Sequence, residues 1–278
     1  MKRKLRRAAL LSLCCIALLA TSCVDLGEVT KFAAQAATAQ SSLASLVADF
    51  KGTCERFNQF APSREKQQDC GKYDKLSSGT VAAQQVLLNY MQALGTLSSD
   101  QKITFDHDLK ALPDKLKNSG MDAKQLTATT TLASKLADAA INGYRRKKIS
   151  QLVGQENEDV QTVTSALIKI VGTDYKLLLG DEAAAMEDYY RTPLKEEGKE
   201  RRLDAVLVTN LWRDQQSDLA KKQAAAEAYV TIMKSVAEGH QKLYEQRNKF
   251  TVKELVETLG PDIGAIASAT QTVHEAFK

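Results

Sequence analysis

Few residues of this chain are of types and spacings that could do chemistry. The histidines are His107, His240 and His274. His107 stands between Asp106 and Asp108, metal-ligating types, but neighbouring side chains on a helix point apart, so a solvated face is expected. His240 falls on the apolar stripe of a long helical pattern and reads as a partly buried, hydrogen-bonded histidine. His274, beside Glu275 near the C-terminus, reads as a surface residue. Asp174 interrupts an apolar stripe, which predicts a boundary position or an ion pair. Glu187-Asp188 and Glu196-Glu197 are simple neighbours without the separation of an acid/base pair. No His-Glu-x-x-His, Glu-x-x-His, Gly-x-Ser-x-Gly or Walker pattern occurs. The expectation is a protein that is not an enzyme, with no catalytic or metal-ligating residue and no cofactor.

Cysteine chemistry is more telling. The chain starts with a basic group, Lys2, Arg3, Lys4, Arg6 and Arg7, then thirteen apolar or small residues, Ala8–Ala20. That is a secretory signal pattern, too short for a permanent membrane span. Its end, Ala20-Thr21-Ser22-Cys23, resembles the lipobox of bacterial lipoproteins, with alanine at Ala20 where leucine is usual. The resemblance covers only these 23 residues. It implies cleavage before Cys23 and lipidation of that cysteine. By the sorting rule of enteric bacteria, Val24 rather than an aspartate implies the periplasmic face of the outer membrane. Cys14 and Cys15 lie in the signal, which leaves Cys54 and Cys70 in an oxidising compartment, where a disulfide is expected.

Charge narrows the classes further. The formal charge is +4, but the first 22 residues hold five of the 38 Lys and Arg and no acid. The remainder carries 33 basic against 34 acidic residues, so no general basic field argues for nucleic acid. The sharpest local run is Arg145-Arg146-Lys147-Lys148. It could lie on anionic head groups or meet an acidic partner, or simply solvate a helix end. Trp212, in a polar stretch, is a candidate interface anchor.

The elements that must position these residues read as helices throughout. Low aromatic content, four prolines and abundant Ala, Leu, Lys, Gln and Glu favour helix. Asp25-Leu-Gly-Glu28 reads as a capping box. Val29, Ala36, Leu43, Phe50 and Phe57, with Phe32, Ala39, Leu46, Thr53 and Phe60, form a heptad seam that predicts one helix to about Ala61. A polar loop over 62–72 and a helix over 76–97 follow. Ser98-Ser-Asp-Gln101 should cap a short helix carrying Phe105, Leu109 and Leu112, with a turn at Pro113 and a break at Lys117–Gly120. Helix is expected from Asp122 to Leu152 with a stop at Gly154. Another is expected over 157–179, its stripe formed by Val160, Val163, Leu167, Ile170, Asp174 and Leu177. Gly180-Asp181 should cap or kink it, and Thr192-Pro193 should end the short helix after it. Glu196 to Arg247 reads as one very long helix or two collinear ones. Thr251-Val-Lys-Glu254 should open a short helix ending near Gly260, and Pro261 should start the last.

The sum is a cleaved signal over 1–22 and one domain over 23–278: an all-α, elongated antiparallel bundle with long helices. The function expected is a lipid-anchored helical binding or scaffold protein of the bacterial envelope, with a membrane bound through Cys23 and an envelope protein as partner. Alternatives are a small-molecule or metal-binding bundle, possibly enzymatic, and a membrane-active helical protein.

Overall fold

The computed structural model describes residues 26–61, 63, 66–99, 111–141, 149–196, 202–248 and 252–278. The described residues are helical and contain no strand. The helices are α1 (Gly27–Thr38), α2 (Gln40–Phe60), α3 (Gly71–Ser98), α4 (Leu112–Leu116) and α5 (Ala123–Ile141). They continue with α6 (Ile149–Lys169), a π-helical turn (Ile170–Tyr175), α7 (Lys176–Glu196), α8 (Arg202–Gln246) and α9 (Val252–Ala276). The all-α bundle expected from composition and periodicity is what forms.

Helix α8 is the spine. Its 45 residues span about 68 Å at 1.5 Å per residue. Three other segments, α1–α2, α6 and α9, run antiparallel to it, and their side-chain pairs show the register. Along α1–α2, Phe32 packs on Gly239 and Asp49 bonds Lys222 at 3.3 Å. Along α6, Asn157 bonds Gln241 at 2.7 Å and Gln161 bonds the carbonyl of Ala237 at 2.8 Å. Along α9, Lys242 bonds Asp262 at 2.8 Å and Gln246 bonds Thr258 at 3.2 Å. Helix α3 lies against α1 with Thr30 and Ser98 hydroxyls 2.6 Å apart.

These pairs give the bundle two distinct ends. Leu26, Ser98, Ile149 and Arg247 belong to one. Phe60, Cys70, Tyr190 and the start of α8 belong to the other. The core between them is continuous, and Tyr90, Tyr175, Tyr229, Phe32 and Phe50 are its largest fully buried side chains.

The heptad seam is real and runs to the end of α2. Val29, Ala36, Leu43, Phe50, Phe32, Ala39, Leu46, Thr53 and Phe60 are buried, while Phe57 is only half-buried. A single turn residue, Ala39, separates α1 from α2. No side chain caps α1, and Asp25 lies outside the described residues. The second helix begins at Gly71, earlier than its apolar pattern suggested. The break after α4 is correct, and Gly120 supplies it with a left-handed φ of 76°.

Four expected helix ends do not occur. Gly154 lies inside α6, because Leu152, Val153 and Glu156 are buried on either side of it. Gly180-Asp181 lies inside α7, between buried Leu179 and Glu182. That helix also runs past Thr192-Pro193 to Glu196. Pro261 lies inside α9, between buried Leu259 and Asp262. At Gly154, Gly180 and Pro261 burial of the neighbours outweighs a local propensity cost of about 1 kcal/mol for glycine or 3 for proline. The caps expected around Gln101 and at Thr251 lie outside the described residues.

The stripe expected on α6–α7 also changes phase. The π turn inserts an extra residue, so burial passes from Leu167 to Val171, Tyr175, Leu179, Glu182, Met186 and Tyr190. Asp174 therefore faces water, and Leu177 is 64% exposed. Gly172 permits the turn, since a Cβ there would sit 2.7 Å from Val230 Cγ2.

Candidate functional site

At the end of α2 remote from Leu26, three helices meet around the Asp49–Arg56 pair. Asp49, Thr53 and Arg56 lie at i, i+4 and i+7 on α2, one stripe of that helix. Arg56 Nη1 and Nη2 each donate to Asp49 at 2.9 Å, and Nη2 also donates to Thr53 Oγ1 at 3.0 Å. Its Nε and Nη2 donate to the two oxygens of Glu182 on α7, at 2.6 and 3.1 Å. Lys222 of α8 donates to Asp49 at 3.3 Å, and Tyr175 from the π turn donates to it at 2.8 Å. Tyr175 also stacks on Phe50 with ring centroids 4.6 Å apart.

The electrostatics follow from this geometry. Burial would raise the Asp49 carboxyl, but the bonds and charge of Arg56, then Lys222 and Tyr175, outweigh it and hold it below the ordinary range. Burial works against the charged Arg56, and Asp49 and Glu182 more than reverse that. The Tyr175 phenol is pushed up by burial and by the Asp49 charge, so it stays a donor. A cleft of about 110 Å³ opens beside Arg56, Glu182 and Lys222, walled by Phe60, Met186 and Leu219. Its charged lining is already mutually paired, apart from the outlying Asp218, which bonds Lys221. It reads as a structural knot.

Beyond the knot, α8 outruns its neighbours. No described side chain from Asp204 to Asp218 is buried, and the first buried one is Leu219. Contact there is with the end of α7. Trp212 is half-buried and stacks on Tyr190, centroids 6.4 Å apart, and Tyr190 in turn meets Phe60 at 6.0 Å. Trp212 Nε1 and Gln215 Oε1 are buried in this region without a hydrogen-bond partner among the described residues. Val206, Leu207 and Leu211 form a stripe on α8 that is 54, 55 and 56% exposed, and Tyr189 nearby is 52% exposed. The disulfide Cys54–Cys70 sits at the same end and ties α2 to the start of α3 across the loop.

The other residues with chemistry lie apart from this end. His240 is fully buried, not partly. Its Nε2 lies 2.9 Å from Tyr90 Oη and its Nδ1 lies 2.9 Å from Asn157 Oδ1. The pairs are satisfied when Tyr90 donates to Nε2 and Nδ1–H donates to Asn157. Burial lowers the imidazole to about 3, so it is neutral. His274 is exposed, as expected. His107, Cys23 and the run Arg145-Arg146-Lys147-Lys148 lie outside the described residues, though Lys148 directly precedes Ile149 in the chain.

Among the described residues no group of three His, Cys, Asp or Glu could hold a metal ion. No helix among them is long and apolar enough to cross a membrane. Sequence reasoning missed the Asp49–Arg56–Glu182 knot. The i, i+4, i+7 stripe on α2 was visible, but its partner lies 126 residues away from Arg56. It also missed the Val206–Leu211 stripe, which looks like ordinary core until its neighbours are known. The chain matches no protein-family model, no curated protein and no solved structure.

Proposed function

We propose that this chain is a lipid-anchored helical binding or scaffold protein of a bacterial envelope, held to a membrane at one end and presenting the other to a protein partner. The observation that carries the reading is the exposed Val206–Leu207–Leu211 stripe near the start of α8. An apolar stripe of that kind on a rigid helix suits a partner's apolar helix or groove. Trp212, beside the stripe and braced by Tyr190, is the aromatic candidate for an anchor in that contact.

The placement of the two ends supports the same reading. Only Val24 and Asp25 separate Leu26 from Cys23, so a lipid on Cys23 belongs to the end opposite the stripe. The run Arg145–Lys148 leads directly into α6 at that same end, where its charges suit anionic head groups at about 1 kcal/mol each. Val24 suits the outer membrane by the sorting rule, and the disulfide suits an oxidising periplasm.

Two substitutions test the two halves of the proposal. Cys23→Ser should move the protein from membranes to the soluble fraction, and continued attachment would refute the anchor. A photoreactive residue at Leu211 should give one reproducible crosslinked adduct in cells, while the same residue at exposed Lys234 should not. No adduct at Leu211 from folded, membrane-attached protein would refute the partner surface.

A further inference from the structure

Three acids among the described residues are buried, and they are not alike. Glu182 is held by Arg56 and Asp262 by Lys242. Glu156, on α6, is 1% exposed, and its Oε2 has no hydrogen-bond partner among the described residues. An unpaired ionised carboxyl in such a place is costly, and the neutral acid is not. We propose that Glu156 is a proton-controlled packing latch: protonated, it lets α6 close on α3, α5 and α8, and ionised, it loosens that seam.

Its surroundings are set for this. Helix α3 presents Tyr90, whose phenol is kept protonated by burial and then by the charge of Glu156. Helix α8 presents His240, neutral and committed to Tyr90 and Asn157, so it offers the acid no positive charge. Arg247, just past α8, packs against Gly154 and over the Tyr244 ring, and donates to the Tyr244 carbonyl. Helix α5 presents half-buried Lys135, which favours the ionised form. On α6 itself Asp159 opposes it, and Glu158 is drawn outward to Lys124 at 3.0 Å. Burial dominates, followed by Asp159, with Lys135 the smaller counterweight.

The carboxyl is raised from 4.5 to about 7. A group raised in the closed form stabilises it fully below pH 4.5 and loses that stabilisation as pH rises through 7. With these two values, the opening equilibrium of the seam increases about tenfold between pH 6 and pH 8. The latch lies at the Leu26 end of the bundle, on the seam entered from the basic run, and does not depend on the partner surface at the other end.

The test is amide hydrogen exchange of the full chain at pH 6 and pH 8, corrected for intrinsic exchange. Protection in α6 and the facing part of α3 should fall about tenfold in the wild type and stay constant in Glu156→Gln, while α2 around Arg56 changes in neither. The same pH response in both proteins would overturn the proposal. Should Glu156→Gln not fold, carbon NMR of the wild-type side-chain carboxyl decides: a midpoint near 7 supports the latch, and one in the ordinary carboxylate range overturns it.

Discussion

Replacing Arg56 by methionine isolates the electrostatics of the knot, since methionine keeps an unbranched chain while removing the charge. Lys222 still neutralises Asp49 in the variant. Glu182 has no second cation within ion-pair distance among the described residues, and its side chain is 6% exposed. Removing one partner of a buried pair costs about 3–5 kcal/mol, chiefly because the survivor is left charged and unpaired. The Arg56 side chain keeps 26% of its exposure, so water relieves part of this and the lower end, about 3 kcal/mol, is expected. Urea unfolding at pH 7, followed by helical circular dichroism, measures it. One further result is required. Adding Glu182→Gln should recover most of the loss, because the orphaned charge is gone. In the wild type Asp49 is depressed, so its contribution is present above the ordinary carboxylate range and is lost as pH falls through the lowered value. A loss under 1 kcal/mol, or no recovery in the double variant, would refute the view that Arg56 organises this end.

Other perturbations probe the packing. Opening the Cys54–Cys70 bridge, whose cysteines are 16 apart in sequence, should cost about 3 kcal/mol in the chain-entropy model. The first proteolytic cut in the reduced protein should then fall between residues 61 and 70, and cutting elsewhere first would count against it. Gly239→Ala would drive a methyl into the Phe32 ring, which is fully buried. It should cost about 1–3 kcal/mol by overpacking and be partly rescued by Phe32→Leu, as read by thermal unfolding.

How much of this was legible in the sequence depended on range. Helix existence was legible because it is written in local periodicity, and the Val29–Phe60 seam shows it. The disulfide was legible because Cys54 and Cys70 are the only cysteines of the sequence beyond its first 23 residues. Helix ends were not, because Gly154, Gly180 and Pro261 are local stop signals overruled by burial of their neighbours. The phase of the α6–α7 stripe was hidden by the π turn, a feature set by Tyr175 reaching Asp49 and Phe50 across 126 and 125 positions of chain. Glu156 was hidden for a related reason: on a helical wheel it is one more acid in Gln155-Glu-Asn-Glu-Asp159. Only the arrival of α3, α5 and α8 takes it out of water.

The antiparallel register bears on the proposed scaffold reading. From Leu26 to Phe60 the chain runs along α1–α2 for about 50 Å at helical rise, with one turn residue between the helices. Only Val24 and Asp25 lie between Leu26 and Cys23, a reach of about 10 Å. An anchored bundle standing on its Leu26 end therefore holds Val206, Leu207 and Leu211 well clear of its own leaflet, and lipid cannot cover them. Here Ile149, which directly follows the basic run in the chain, lies at the Leu26 end, and the exposed apolar residues lie at the other. That separation suits a protein that links a membrane to something standing off from it.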